Sequence, residues 1–165
     1  MTAIPPGSMD RSTPGALADR AAIHDVVAAF GLLFDSGGWI ALGELFTEDA
    51  RYELVPPPEG LPPVLETRGQ VVAGMEHLWR HNREVLGLHQ RHVTTNVLVT
   101  ELGPEEATAH SVLTITGTHP DGRVELRRAG NYVDRFRRTG SRWRIAHREL
   151  HLVEPPVIGF GGEVG

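Results

Sequence analysis

Beyond Gly87 the chain carries four strand-like stretches in succession, over 92–101, 107–118, 124–138 and 143–153, and no helical periodicity returns. Turn signals separate them at Gly103-Pro104, Pro120-Asp121-Gly122 and Thr139-Gly140-Ser141. Connections this short join antiparallel neighbours, so the pattern predicts a meander of long antiparallel strands. A sheet of that kind buries one face, and another layer has to cover it.

The covering layer is sought in the first half. Thr13 is a candidate N-cap and Pro14 suits a first helical turn. Ile23, Val26, Val27, Phe30 and Phe34 then recur at helical spacing until Ser36-Gly37-Gly38 ends the helix. A short second helix is expected over 39–46, with Trp39, Leu42, Leu45 and Phe46 turned inward, and a strand over 50–55. The run PPPEGLPP at 56–63 lacks the donors for a helix or a central strand and reads as a surface loop or a lid over a pocket mouth. A third helix is expected over 71–86, with Val72, Met75, Leu78, Trp79 and Leu86 inside. Helices followed by strands define an α+β fold, with about three N-terminal helices against a curved sheet.

At 165 residues the chain suits one domain, expected over 13–154, with a disordered segment over 1–12. Residues 155–165 form a tail, apolar over 157–160, expected to act as a lid or a subunit contact. A formal charge of -5 argues against a nucleic-acid partner, and the absence of cysteine removes disulfides, thiolate catalysis and thiolate metal sites. No apolar run reaches membrane-spanning length and the N-terminus does not read as a signal peptide, so no membrane and a cytoplasmic location are expected.

Three motifs narrow the fold. The stretch LADRAAIHDVVAAFGLLFDSGGWIALGELFTEDARYEL resembles the opening of SnoaL-like proteins of the nuclear-transport-factor-2-like (NTF2-like) superfamily. RHVTTNVLV resembles that family's His-x-x-x-Asn strand, and GNYVDRFRRTGSRWRIAHREL its closing hairpin with Gly-x-Tyr-x-Asp and Trp-Arg-Ile. The likeness spans residues 17–153. It implies a cone-shaped sheet wrapped around helices, with a deep pocket open at one end. It also implies a homo-oligomer, a dimer or trimer.

The resemblance assigns chemistry residue by residue. In the family's dehydratases and its hexachlorocyclohexane dehydrochlorinase, the position of Asp35 carries an aspartate that partners a histidine on the strand after the third helix, here His92. A histidine so held keeps one tautomer and becomes a better base. Arg148 matches an arginine that stabilises a departing anion in the dehydrochlorinase. Alternation on the last strand groups Trp143, Ile145, His147, Glu149 and His151 on one face and Arg142, Arg144, Arg148 and Leu150 on the other. On the His92 strand it groups His92, Thr94, Asn96 and Leu98 against Val93, Thr95, Val97 and Val99, the latter reading as core. Tyr52, Phe30, Phe34, Asn96 and Tyr132 are expected to contact the substrate. Phe30 and Phe34 occupy places where relatives keep a tyrosine or lysine, so the base of an elimination site is present and its usual acid is not.

Nine histidines raise a metal site, but His77/His81 and His147/His151 do not make three or four converging ligands. No metal and no cofactor are expected, and there is no dinucleotide fingerprint, phosphate loop or nucleophile elbow. The resulting expectation is a cofactor-independent lyase or isomerase, dehydratase-like, acting on a hydrophobic cyclic small molecule. The alternatives are a polyketide-type cyclase of secondary metabolism and a non-catalytic ligand-binding or partner subunit.

Overall fold

Helix α1 (Pro14–Ser36) starts where Thr13 caps it, the Thr13 hydroxyl accepting from the Ala16 N–H at 3.2 Å. It ends at Gly37, whose φ of 74° is the left-handed conformation that closes a helix. The computed structural model describes residues 13–152. The expected N-terminal segment and the whole tail, 155–165, lie outside the described residues. After α1 come α2 (Trp39–Glu44), β1 (Phe46–Val55), β2 (Val64–Leu65), α3 (Arg68–Arg80), β3 (His89–Leu102), β4 (Glu106–Thr118), β5 (Val124–Thr139) and β6 (Arg142–His151).

The six strands form one mixed sheet in the order β2-β1-β6-β5-β4-β3. The meander β3 to β6 is antiparallel throughout, as its short turns require, and β1 joins its far edge parallel to β6. Helix α1 lies across the sheet against β3 and β6, and α3 packs on β1. The core between them contains Ile23, Val27, Phe30, Phe34, Leu42, Phe46, Tyr52, Leu113, Phe136 and Ile145, all buried. This is the expected α+β cone: three helices on a curved open sheet.

The third helix is shorter than 71–86. It runs to Arg80 and widens into a π turn at His81–Val85. There the Asn82 side-chain amide donates to the Leu78 carbonyl at 2.7 Å, competing for an acceptor the α-helical ladder would use. The proline run leads into β2, which pairs Leu65 with Tyr52 and Val64 with Glu53.

Simple alternation fails on β3 and β6, as it does on β1 and β5, and β-bulges or register shifts are the reason. On β3, Thr95 faces Val112 and Leu98 faces His110, so three steps on one strand match two on the other. Asn96 sits in this bulge with φ 53°, a conformation asparagine tolerates better than most residues. The face of Val93, Thr95, Val97 and Val99 is therefore not one core face: Val93 is 46% exposed and Val99 1%. On β6, His147 pairs with Arg135 and Ile145 with Phe136, leaving Ala146 as the extra residue. Trp143, Ile145, Arg148 and Leu150 are consequently all buried, correcting the grouping of Arg148 with Arg142 and Arg144.

Candidate active site

Asp35 ends helix α1, and a close helix–strand approach brings it to His92. Gly31 makes the approach feasible, since a Cβ there would lie 3.1 Å from the His92 Cβ. The Asp35 carboxylate binds His92 twice. Oδ2 accepts from the His92 backbone N–H at 2.9 Å, and Oδ1 lies 2.7 Å from Nδ1. The two side chains are only 4% and 6% exposed. A carboxylate at the negative end of a helix is otherwise disfavoured, and these two bonds supply the compensation. Because an ionised carboxylate only accepts, it places the proton on Nδ1 and the lone pair on Nε2. Phe34 leans on the imidazole with ring centroids 4.4 Å apart, and the Trp79 indole N–H donates to the Asp35 carbonyl at 3.4 Å.

His92 lines a cavity of about 180 Å³ between helices and sheet. Its apolar walls include Phe30, Phe34, Met75, Leu78, Ile115 and Leu150, and Tyr52 and Tyr132 also border it. Glu59, His81, Asn82, Gln90, Arg127 and Arg128 bring polar groups to the same space, and Pro58 also borders it. The proline loop thus contributes to the cavity, as a loop over a pocket mouth would. Asp35 borders a separate recess with Trp79, Asn82 and Arg83, so it stands behind His92 rather than on the main wall.

A polar cluster beside the cavity is built by register. Tyr52, Arg148 and Asp134 are successive partners across β1, β6 and β5 and therefore share one inward row. Arg148 is 0% exposed, and its Nε and Nη2 donate to the two oxygens of Asp134 at 2.6 and 2.8 Å. Its guanidinium lies over the rings of Tyr132 at 4.1 Å and Phe30 at 4.4 Å. Burial works against its charge, but Asp134 outweighs burial and the pKa of Arg148 is raised. Burial pushes Tyr132 up to about 12, with Arg148 pulling the other way, and raises Tyr52 well above the ordinary tyrosine value. Both phenols therefore stay protonated near neutral pH, and because they are hydrogen-bonded to each other one of their two protons is left to donate elsewhere.

Of the residues singled out by sequence, His92, Phe30, Phe34, Tyr52 and Tyr132 meet around the cavity, with Asp35 behind His92. Arg148 lies behind Phe30 and Tyr132 and is not part of the cavity lining. Asn96 is exposed, occupies the β3 bulge and does not line the cavity. Sequence reasoning missed Asp134 as the partner of Arg148, although Gly-x-Tyr-x-Asp was in view; the direct Asp134–Arg148 pairing becomes readable only once the Ala146 bulge is known. It also missed Glu59, His81, Gln90, Arg127 and Arg128. Among the described residues no three His, Asp or Glu side chains are grouped to hold a metal ion. Among the described residues no helix is long and apolar enough to cross a membrane.

A family model for the SnoaL-like domain matches residues 15–149. No curated protein matches the sequence. Among solved structures, the chain is similar to an NTF2-like protein with a cystatin-like fold from Novosphingobium aromaticivorans, at 26% identity and TM-score 0.70, over 88% of this chain and 93% of that one. It is also similar to the β subunit of a candidate aromatic-ring-hydroxylating dioxygenase from the same organism, at 24% identity and TM-score 0.68, over 88% and 95% of the two chains. A candidate scytalone dehydratase, again from that organism, aligns at 18% identity and TM-score 0.66 over 84% and 86%. The latter two likenesses, below 25% identity, concern the fold.

Proposed function

The chain belongs to the SnoaL-like domain family, and from that premise we propose that it is a cofactor-independent lyase or isomerase acting on a hydrophobic, cyclic small molecule. The observation that carries the reading is the 2.7 Å contact between Asp35 Oδ1 and His92 Nδ1 at the wall of an apolar cavity. His92 Nε2 takes a proton from carbon or from a hydroxyl, and Asp35 holds the ring and stabilises the imidazolium that forms. The Tyr52–Tyr132 pair, whose hydroxyls share one proton in a hydrogen bond, donates the other to the oxygen on which negative charge develops. Arg148 serves as a positioning residue: its charge sits under the Tyr132 ring and favours build-up of negative charge on the phenol side of the cavity. A non-catalytic ligand-binding or partner subunit has no need for a buried carboxylate–imidazole pair at its cavity, so the pair supports the enzymatic reading.

The reaction is tested in D₂O with a panel of bicyclic ketones and β-hydroxyketones. NMR reads exchange of the C–H beside the carbonyl, and mass spectrometry reads loss of water. His92→Ala should lower turnover by about 10²–10⁴-fold, the usual share of general base catalysis. Asp35→Asn should lower it too, because the ring loses the carboxylate that holds it and stabilises the imidazolium. Full turnover in both variants overturns the mechanism.

A second reading, ring closure of the polyketide-cyclase kind, is favoured by one observation. Phe30 and Phe34 line the cavity and supply no acid to expel a leaving group. A cyclised product that retains every atom of its precursor would separate it from elimination.

A further inference from the structure

Arginine is abundant on β5, and all but one of these side chains are engaged. Arg127 contacts Glu125 at 2.8 Å, Arg135 contacts Glu149 at 4.0 Å, Arg137 contacts Asp49 at 3.0 Å and Arg138 contacts Asp19 at 2.7 Å. Arg128 makes none of these ion pairs among the described residues, and it borders the cavity.

Its position follows from register. His92 on β3 pairs with Ile115 on β4, and Ile115 pairs with Arg128 on β5. Directly paired residues in an antiparallel sheet point to the same face. His92, Ile115 and Arg128 thus form one row along the cavity wall, with an apolar residue between the base and the cation. Two steps of about 5 Å place the Arg128 backbone about 10 Å from that of His92. The bulge at Arg127, between the Ile115–Arg128 and Thr116–Leu126 pairs, sets this orientation. Without the extra residue, Arg127 and Arg128 would alternate normally along the ladder.

Resting on the reading of His92 as the base, we propose that Arg128 anchors an anionic oxygen group of the substrate, a carboxylate. The substrate class is then an apolar ring system with a carboxylate at one end and its reacting C–H or O–H at the other. The guanidinium presents a planar fork that matches a carboxylate, and among the described residues no carboxylate occupies it. A phosphate monoester offers similar oxygens with more charge. A single unpaired cation, with the Glu59 carboxylate bordering the same cavity, favours the monoanion. Ile115 in mid-row gives the ring an apolar surface, which keeps the anion and the reacting atom at opposite ends.

Binding is measured with three fluorescent probes of one ring size: 2-naphthoate, its neutral analogue 2-naphthamide, and 2-naphthyl phosphate. The wild-type protein should bind naphthoate at least tenfold more tightly than naphthamide, and the preference should shrink with added salt. Arg128→Gln should abolish that preference and leave naphthamide affinity unchanged. Arg142→Gln, which removes the same charge at an exposed site on β6, should preserve it. Equal affinity for naphthoate and naphthamide, no binding of naphthoate, or a preference that survives in Arg128→Gln overturns the proposal. Tighter binding of naphthyl phosphate than of naphthoate overturns the choice of a carboxylate. None of these measurements requires turnover, so full activity in His92→Ala would remove the base while leaving the anion preference to stand or fall by itself.

Discussion

Tyr52 and Tyr132 are the two tyrosines of a chain with no cysteine, and all sixteen of its Lys-plus-Arg residues are arginine. Between pH 9 and 12 these two phenols are therefore the side chains expected to titrate, which gives the cavity a private spectroscopic signal. Burial raises both, Tyr132 to about 12. In the unfolded chain they ionise near 10. Above that pH the unfolded state has lost protons that the folded state keeps, so stability falls as pH rises from about 10 to about 12. For Tyr132 the difference corresponds to about 3 kcal/mol. Absorbance at 295 nm should stay flat in the native protein through pH 10 and rise near pH 10 in urea, and urea midpoints should fall across the same window. A full tyrosine equivalent ionising near pH 10 in the folded state would show that the phenols are not buried as described. Below pH 9 this contribution is constant, so the two hydroxyls keep their protons across the neutral range.

At the level of strands, the bulges decide which side chains meet. The order of helices and the antiparallel meander were legible because glycine and proline punctuate the chain where turns occur, and because apolar spacing differs between helix and strand. Asp35 and His92 were found through the family motif, not through spacing, since their contact joins residues 57 apart in sequence. Facing was not legible. Alternation carries on through Val93, Thr95, Val97 and Val99 with no break in residue type except Asn96, so nothing apolar marks the bulge. Ala146 on β6 leaves even less trace, and that is why alternation groups Arg148 with Arg142 and Arg144. The bulge at Arg127 likewise hid the cavity role of Arg128. Asn96 offers a direct test, because φ 53° is tolerated by asparagine, costless for glycine and strained for a β-branched residue. Asn96→Val should destabilise the protein by about 1–2 kcal/mol in urea unfolding, and Asn96→Gly should change it far less. Equal losses in the two variants would mean that the bulge imposes no backbone demand, and that the facing of His92 is set by something else.

For the molecule as a whole, helix α1 links the core to the site. Its inner side supplies Ile23 and Val27 to the core, Phe30 and Phe34 to the cavity, and Asp35 to His92. Stability and chemistry therefore depend on the same separation between α1 and β3. Gly31 sets it, with the His92 Cβ 3.1 Å and the His92 carbonyl oxygen 3.4 Å from where its own Cβ would be. Two effects oppose each other when a side chain is added there. Replacing glycine inside a helix by alanine is worth about 1 kcal/mol in helix propensity. A methyl at 3.1 Å asks β3 to withdraw by a few tenths of an ångström. Gly31→Ala should thus be close to neutral in stability, and Gly31→Val, which adds bulk with no room to place it, should cost about 1–3 kcal/mol. The site should report the same displacement. The downfield ¹H resonance of the His92 Nδ1 proton bound to Asp35 should persist in Gly31→Ala and vanish in Gly31→Val. Gly15→Ala is the control for propensity alone, because a Cβ at Gly15 meets nothing within 4 Å. A Gly31→Val protein as stable as wild type, with the His92 resonance intact, would show that the sheet yields freely. The Asp35–His92 contact would then be held by its own two hydrogen bonds and not by the packing of α1.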